Sequence, residues 1–409
     1  MPSPRCVETT CLANCCDNVL EISLRPHGLT NRQWPLNPVV IVLCPGGLEH
    51  GGGIGRQMGY FLREQAARQT GMTYQVVDTR GRWFLGASPA HIGLSAGYLG
   101  VAALKLLLAR FSLRRCVVHV NITGRGSTVR KAMLTAIVRA LGLRYLLHVH
   151  DYSYGDEYHR RSPLTRAVIR RMFRSAACVL VLGEQERHAI SQLLHLPAEQ
   201  VLVLHNAVPD PGTKLAMPRA DRPCELVFLG YLSSRKGVPD LLKALATPAL
   251  ASRHWHATLA GGGPVEEYRR LACALGVSAR VAFPGWLDQA AASALCADAD
   301  VLVLPSHAEG LAMSVLEGLA HGLAVIATPV GAHKEAIESE VSGLLVPPGD
   351  VGALGEALVR VIDDAALRVR LQAGARSGFL TKFNVRGYAE RLGRLHSSLM
   401  SDRPSPRRH

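Results

Sequence analysis

The 409-residue chain is short of acidic side chains: 32 Asp and Glu stand against 46 Lys and Arg, a formal net charge of +14. The deficit is uneven. Residues 1–210 hold 24 Lys/Arg against 13 Asp/Glu, or +11, which leaves +3 for the remainder. A basic first half fits an anionic partner, such as lipid headgroups or a diphosphate-linked substrate. No RNA- or DNA-binding motif accompanies the charge, so no nucleic acid is expected among the partners. The ten cysteines show neither metal-ligand spacing nor a paired disulfide framework. Cys6, Cys11, Cys15 and Cys16 crowd the start, while Cys44, Cys178 and Cys296 sit in or beside apolar segments as core thiols. That usage fits a reducing cytoplasm.

Targeting signals are missing as well. The first residues lack the charged region and apolar core of a signal peptide, and Leu12-Ala13-Asn14-Cys15 lacks the apolar run that a lipoprotein cleavage site requires. Residues 92–109 are apolar except for Lys105, barely long enough to span a bilayer, and interrupted by Gly93, Gly97 and Gly100. They are predicted to form a buried crossover helix, so that any membrane contact is peripheral, on the inner face of the plasma membrane.

What the chain does have is alternation. After an irregular extension at 1–37, short apolar strands alternate with helices, beginning at Val39-Val40-Ile41-Val42-Leu43. The pattern predicts an α/β protein with parallel sheets covered on both faces. A Pro-rich, charged break at 211–223 reads as a linker between one such domain at 38–210 and a second at 224–385, and 386–409 reads as a C-terminal helix with a frayed tail. Two doubly wound domains imply a cleft, where a substrate is expected.

Several strand ends carry chemistry. Glu309-Gly310-Leu311-Ala312-Met313-Ser314-Val315-Leu316-Glu317 follows an apolar strand and opens a helix, so two carboxylates lie at the ligand edge of a βαβ unit. The amides of residues 312–314 point the same way and suit a phosphate. Lys236 and Arg235 occupy a strand-to-helix turn, placed to neutralise a diphosphate whose charge grows as a sugar leaves. The glycines at 51–55, including Gly52 and Gly53, open the first helix and let backbone approach a ligand, but their spacing fails the dinucleotide fingerprint G-x-G-x-x-G. His150 ends a strand beside Asp151, and Asn121, Arg125, Ser127, Arg130 and Lys131 form a basic, hydrogen-bonding edge suited to an anionic acceptor. No Asp-x-Asp cluster marks a metal site at the donor edge.

From Val39 to about Val361 the chain resembles the retaining glycosyltransferases of family 4, with the GT-B fold of two facing Rossmann-like domains. The match is strongest in Pro305-Ser306-His307-Ala308-Glu309-Gly310, in Glu317 and the strand after it, and in Gly343-Leu344-Leu345-Val346-Pro347-Pro348-Gly349-Asp350. The region His119–Lys131 followed by His148-Val149-His150 resembles bacterial enzymes that extend lipid-linked exopolysaccharide or O-antigen units. The resemblance implies transfer of a sugar from a nucleoside diphosphate sugar, a co-substrate, to a saccharide or polyprenyl-diphosphate-linked acceptor, with no metal or other cofactor. It implies that Glu309 binds donor-sugar hydroxyls, Glu317 the ribose, Lys236 and the Gly52-Gly53 backbone the diphosphate, and that His150 lies beside the anomeric carbon. Tyr231 stands where the family usually has Arg; either Arg235 replaces that charge or the diphosphate is held more weakly. A sugar-nucleotide epimerase and a non-catalytic nucleotide-sugar-binding protein are the alternative readings of the same features.

Overall fold

A computed structural model describes residues 38–48, 52–80, 89–112, 115–124, 126–212 and 222–401. The first half runs β1 (Val39–Cys44), α1 (Gly52–Arg68), β2 (Thr73–Asp78), α2 (Pro89–Ser112), β3 (Cys116–Ile122), α3 (Gly126–Ala140) and β4 (Arg144–Val149). It continues with α4 (Tyr154–His159), α5 (Pro163–Arg174), β5 (Cys178–Val181), α6 (Glu184–Leu194) and β6 (Val201–Val203). The second half opens with β7 (Cys224–Leu229), α7 (Val238–Leu245), α8 (Pro248–Ala251), β8 (Trp255–Ala260), α9 (Val265–Ala274), β9 (Val281–Gly285) and α10 (Gln289–Asp298). It ends with β10 (Val301–Leu304), α11 (Met313–His321), β11 (Ala324–Ala327), α12 (His333–Ala336), β12 (Gly343–Leu345), α13 (Val351–Asp363), α14 (Ala365–Gly378), a π-turn at Phe379–Phe383 and α15 (Val385–Ser401).

Each half is a six-stranded sheet, ordered β2-β1-β3-β4-β5-β6 and β12-β11-β10-β7-β8-β9, with every pair parallel. Central strands such as β1 and β10 are buried along their whole length, as β-branched and Leu-rich runs must be when helices cover both faces. Helix starts follow local chemistry. Ser162 accepts from Thr165 N at 3.3 Å with Pro163 in the first turn of α5, and Asp350 accepts from Ala353 N at 2.9 Å to begin α13.

One expectation is corrected. α2 is a crossover helix, but it is not buried. Ala102, Leu106 and Ala109 face the sheet, whereas Val101, Leu104, Leu108 and Phe111 are 52%, 55%, 56% and 82% exposed. A single helix covering a sheet buries one stripe, and α2 carries a second apolar stripe on its outer side.

The last helix crosses back. α15 packs on α1 and β3 of the first half: Gln65 Nε2 donates to Ala389 O at 2.6 Å, and Arg144 Nη1 donates to Leu399 O at 3.1 Å. Where the chain leaves the first half and where it returns, the two segments pair. Val208 N donates to Phe383 O and Val385 N to Val208 O, each at 3.0 Å.

Candidate active site

Glu309 lies in the loop between β10 and α11, and its Oε1 receives Lys236 Nζ at 2.6 Å and Arg235 Nη1 at 2.9 Å. Two glycines make this possible. Gly237, at φ +72°, closes the turn that carries Lys236, and a Cβ there would meet Pro305 O at 2.0 Å. Only glycine therefore lets the turn lie against the end of β10. Gly331, at φ +54°, would push a Cβ to 2.2 Å from the carbonyls of Glu309 and Gly310 from the other side. Ser233 Oγ accepts from Lys236 N at 3.4 Å, and His307 N donates to Arg235 O at 2.8 Å, which fastens the turn to the loop. Arg235 also donates to Ala308 O at 2.6 Å and lies over the Tyr152 ring of the first half, 5.5 Å from its centroid. Tyr231 is 62% exposed, so the cation beside Glu309 next to Lys236 is Arg235.

Glu317 sits on the first turns of α11, where its Oε1 accepts from Arg56 Nη1 of α1 at 2.9 Å. Burial pushes its carboxyl above the ordinary range, and the Arg56 guanidinium pulls against that. Gly53 opens α1 on the same side of the cleft: a Cβ there would lie 3.9 Å from Met313 Cγ. Gly52 precedes it, and Gly310 lies against Leu182, so the glycine-rich start of α1 and the start of α11 face each other across the two halves. Leu311, Ala312 and Ser314 are buried. The amide of Ala312, at the head of α11, donates to His333 Nε2 at 3.4 Å, while His333 Nδ1 lies 3.0 Å from Thr328 O. The carbonyl can only accept, so His333 carries its proton on Nδ1. Burial holds it neutral.

At the first-half rim, His150 Nε2 lies 2.9 Å from Asn121 Oδ1, and Asn121 Nδ2 donates to Leu43 O at 3.4 Å. The amide orientation makes Nε2 the donor. Burial brings His150 down to about 3, which removes it as a proton carrier at neutral pH. Ser127 Oγ accepts from Thr123 N at 3.4 Å. Arg125 lies outside the described residues.

Two acceptor-binding expectations are corrected. Arg130 is 6% exposed and Lys131 is fully buried, with its Nζ donating to Thr79 Oγ1. Burial brings the Lys131 ammonium down to about 7, with the nearby Cys44 and Asp78 pulling the other way. Lys131 turns inward under the sheet edge to reach Thr79, and Arg130 is buried beside it, so neither presents charge to an acceptor.

Four groups that join the halves escaped the sequence reading: Arg56, Asn206, His205 and Glu335. Asn206 Nδ2 donates to Leu311 O at 2.9 Å, and Glu335 accepts from Glu184 N and pairs with His205 Nε2, both at 2.7 Å. Arg56 had a signal, one helical turn beyond the Gly52-Gly53 pair on a cleft-facing helix. The others had none, since each bond crosses at least a hundred residues.

The families that match the chain accord with this geometry. "Glycosyl transferase 4-like domain" matches residues 39–207, and "Glycosyl transferases group 1" matches residues 223–364. The chain belongs to the family 4 glycosyltransferases. This glycosyltransferase is 24% identical over 330 residues to the alpha-D-kanosaminyltransferase of Streptomyces kanamyceticus, covering 76% of the chain and 85% of the relative. It is 28% identical over 296 residues to a GDP-mannose-dependent alpha-(1-6)-phosphatidylinositol monomannoside mannosyltransferase of Mycolicibacterium smegmatis, covering 66% and 75%. Among solved structures, sucrose-phosphate synthase from Thermosynechococcus elongatus superposes with a TM-score of 0.72 at 20% identity, covering 88% of this chain and 99% of that one. Anabaena HepE in complex with UDP-glucose follows at 0.66 and 19%, covering 88% and 99%. The fold of this glycosyltransferase is GT-B.

Proposed function

We propose that this glycosyltransferase takes its sugar from a nucleoside diphosphate sugar and passes it, with retention of anomeric configuration, to a hydroxyl of a lipid-linked saccharide at the inner face of the plasma membrane. One observation carries the donor half of the reading: the Glu309 carboxylate sits between the Lys236 and Arg235 cations, beside the head of α11. A diphosphate entering there competes with Glu309 for both cations and frees that carboxylate to accept hydrogen bonds from sugar hydroxyls. Glu317, held by Arg56, is placed one helix turn further to grip the ribose. UDP-glucose on the HepE neighbour supports this reading.

The chemistry then needs little else. Lys236, Arg235 and the amides of Met313 and Ser314 stabilise the leaving diphosphate, and the acceptor hydroxyl attacks on the face from which it departs, its proton passing to the departing phosphate oxygen. Neutral His150 borders that face as a hydrogen-bonding wall, with Asn121 fixing its ring. No step calls for a metal, because the cations supply the charge.

The test is transfer assayed with UDP-, GDP- and ADP-sugars against a polyprenyl-diphosphate saccharide, with the product anomer read by NMR. Retention with one donor supports the reading. Inversion, or release of a free altered sugar without an acceptor, overturns it. Trp286, 71% exposed beside the carboxyl end of β9, gives a binding signal: its fluorescence should change on adding the preferred nucleotide. Glu317→Gln is expected to raise the donor KM about tenfold with kcat nearly unchanged, the signature of a charge-assisted bond made equally in ground and transition states.

A further inference from the structure

We infer that the outer face of α2, α3 and α5 is a docking surface for an anionic phospholipid bilayer. The three helices lie side by side in one layer, α3 packing on α2 and on α5. Together they contain nine Lys and Arg, seven of them outside the interior once the buried Arg130 and Lys131 are set aside, and not one Asp or Glu. The wider sequence is equally one-sided, with no acidic residue from 79 to 150. Apolar side chains stand among those cations. Besides the outer stripe of α2, Met133 on α3 is 48% exposed, and Leu164 and Val168 on α5 are 76% and 46% exposed. Arg110, Arg115, Arg171 and Arg174 are exposed beside them.

The combination selects the partner. A bilayer of acidic lipids offers negative headgroups over an apolar interior, and a basic amphipathic surface uses both. Nucleic acid would use the arginines but gain nothing from Leu104, Leu108 and Phe111. A second copy of the chain would bring its own excess of positive charge against this face. The helices lie on the membrane and do not cross it: among the described residues, no helix is long and apolar enough to span one.

The placement has a purpose under the proposed reading, on which this part of the inference rests. In a parallel sheet each crossover helix starts at the carboxyl edge of the strands, where the cleft opens, and runs to the opposite edge. With 24 residues, α2 is about 36 Å long. A bilayer lying along it therefore reaches the rim of the cleft, within range of a lipid-borne acceptor.

The experiment uses the full chain with vesicles of phosphatidylcholine alone or with one-third phosphatidylglycerol. Binding is expected to the acidic vesicles and to weaken as salt is raised. Two variants change only exposed side chains: Leu104→Gln/Leu108→Gln/Phe111→Ser on α2, and Arg171→Glu/Arg174→Glu on α5. Each is expected to weaken vesicle binding about tenfold or more, with unchanged transfer to a short-chain, water-soluble acceptor. Wild-type binding by both variants, equal binding to neutral vesicles, or a change of oligomeric state instead of vesicle affinity overturns the inference. Because binding is read without acceptor, docking can hold while transfer to the lipid-linked saccharide fails, which would sink the acceptor reading alone.

Discussion

Lys236→Ala is expected to lower the rate of sugar transfer by about 10²–10³-fold, the loss typical when one preorganised group opposite developing charge is removed. The donor KM should change much less, since the diphosphate gains its extra charge only as the sugar leaves. Glu309→Ala should cost a similar factor in transfer but move nucleotide binding the other way. In the native protein that carboxylate neutralises both Lys236 and Arg235, so its removal frees two cations for the diphosphate. The unsugared nucleotide is expected to bind as tightly as before or several-fold tighter, measured by calorimetry. Weaker nucleotide binding in Glu309→Ala, or wild-type turnover in either variant, would show that the cations do not serve the diphosphate.

A second large effect concerns acid. Three buried histidines, His119, His148 and His396, lie between α15 and the first sheet, and half-buried His150 continues the row to the cleft rim. His396 Nε2 lies 3.2 Å from His119 Nδ1, the His119 and His148 rings stack 5.5 Å apart, and His148 and His150 are 4.0 Å apart. Burial holds all four below the ordinary imidazole value, His150 and His396 at about 3. Their unfolded forms titrate near 6.5, so the unfolded chain binds more protons between about pH 3 and 6.5. Stability is therefore full above pH 6.5 and falls as pH drops through that window. From pH 7 to 5.5 the loss is about 2.5 kcal/mol from His150 and His396, and His119 and His148, held lower by burial, deepen it. The expected consequence is a fall in Tm of at least roughly 3 °C.

His148→Phe separates this cause from general acid sensitivity. Neither ring nitrogen of His148 has a hydrogen-bond partner among the described residues, so an apolar ring of similar shape costs little at pH 7. The variant should keep its Tm there and lose part of the acid-induced fall. An unchanged pH slope would refute the assignment.

The framework was readable in the chain because strand ends repeat one local pattern: an apolar run, then glycine and polar residues, then a helix. Glu309, Glu317 and Lys236 follow that pattern, so they could be placed at one edge before any contact was known. The failures have a common origin in side-chain direction and long-range partners. Arg130 and Lys131 look like surface charge beside a glycine turn, yet Thr79 draws the ammonium inward across 52 residues. Arg56 and Glu317 pair across 261 residues. The α2 run looks buried because hydropathy cannot tell which of two apolar stripes meets the sheet.

The paired crossings at Val208 and Phe383–Val385 bear on motion. Two separate tethers would let the halves slide, twist and part. Here the tethers are bonded to each other at one spot, which disfavours sliding there and leaves rotation about that spot as the easier movement. A rotation about that spot would part and rejoin Arg56 with Glu317 and Gly53 with Met313 as one set.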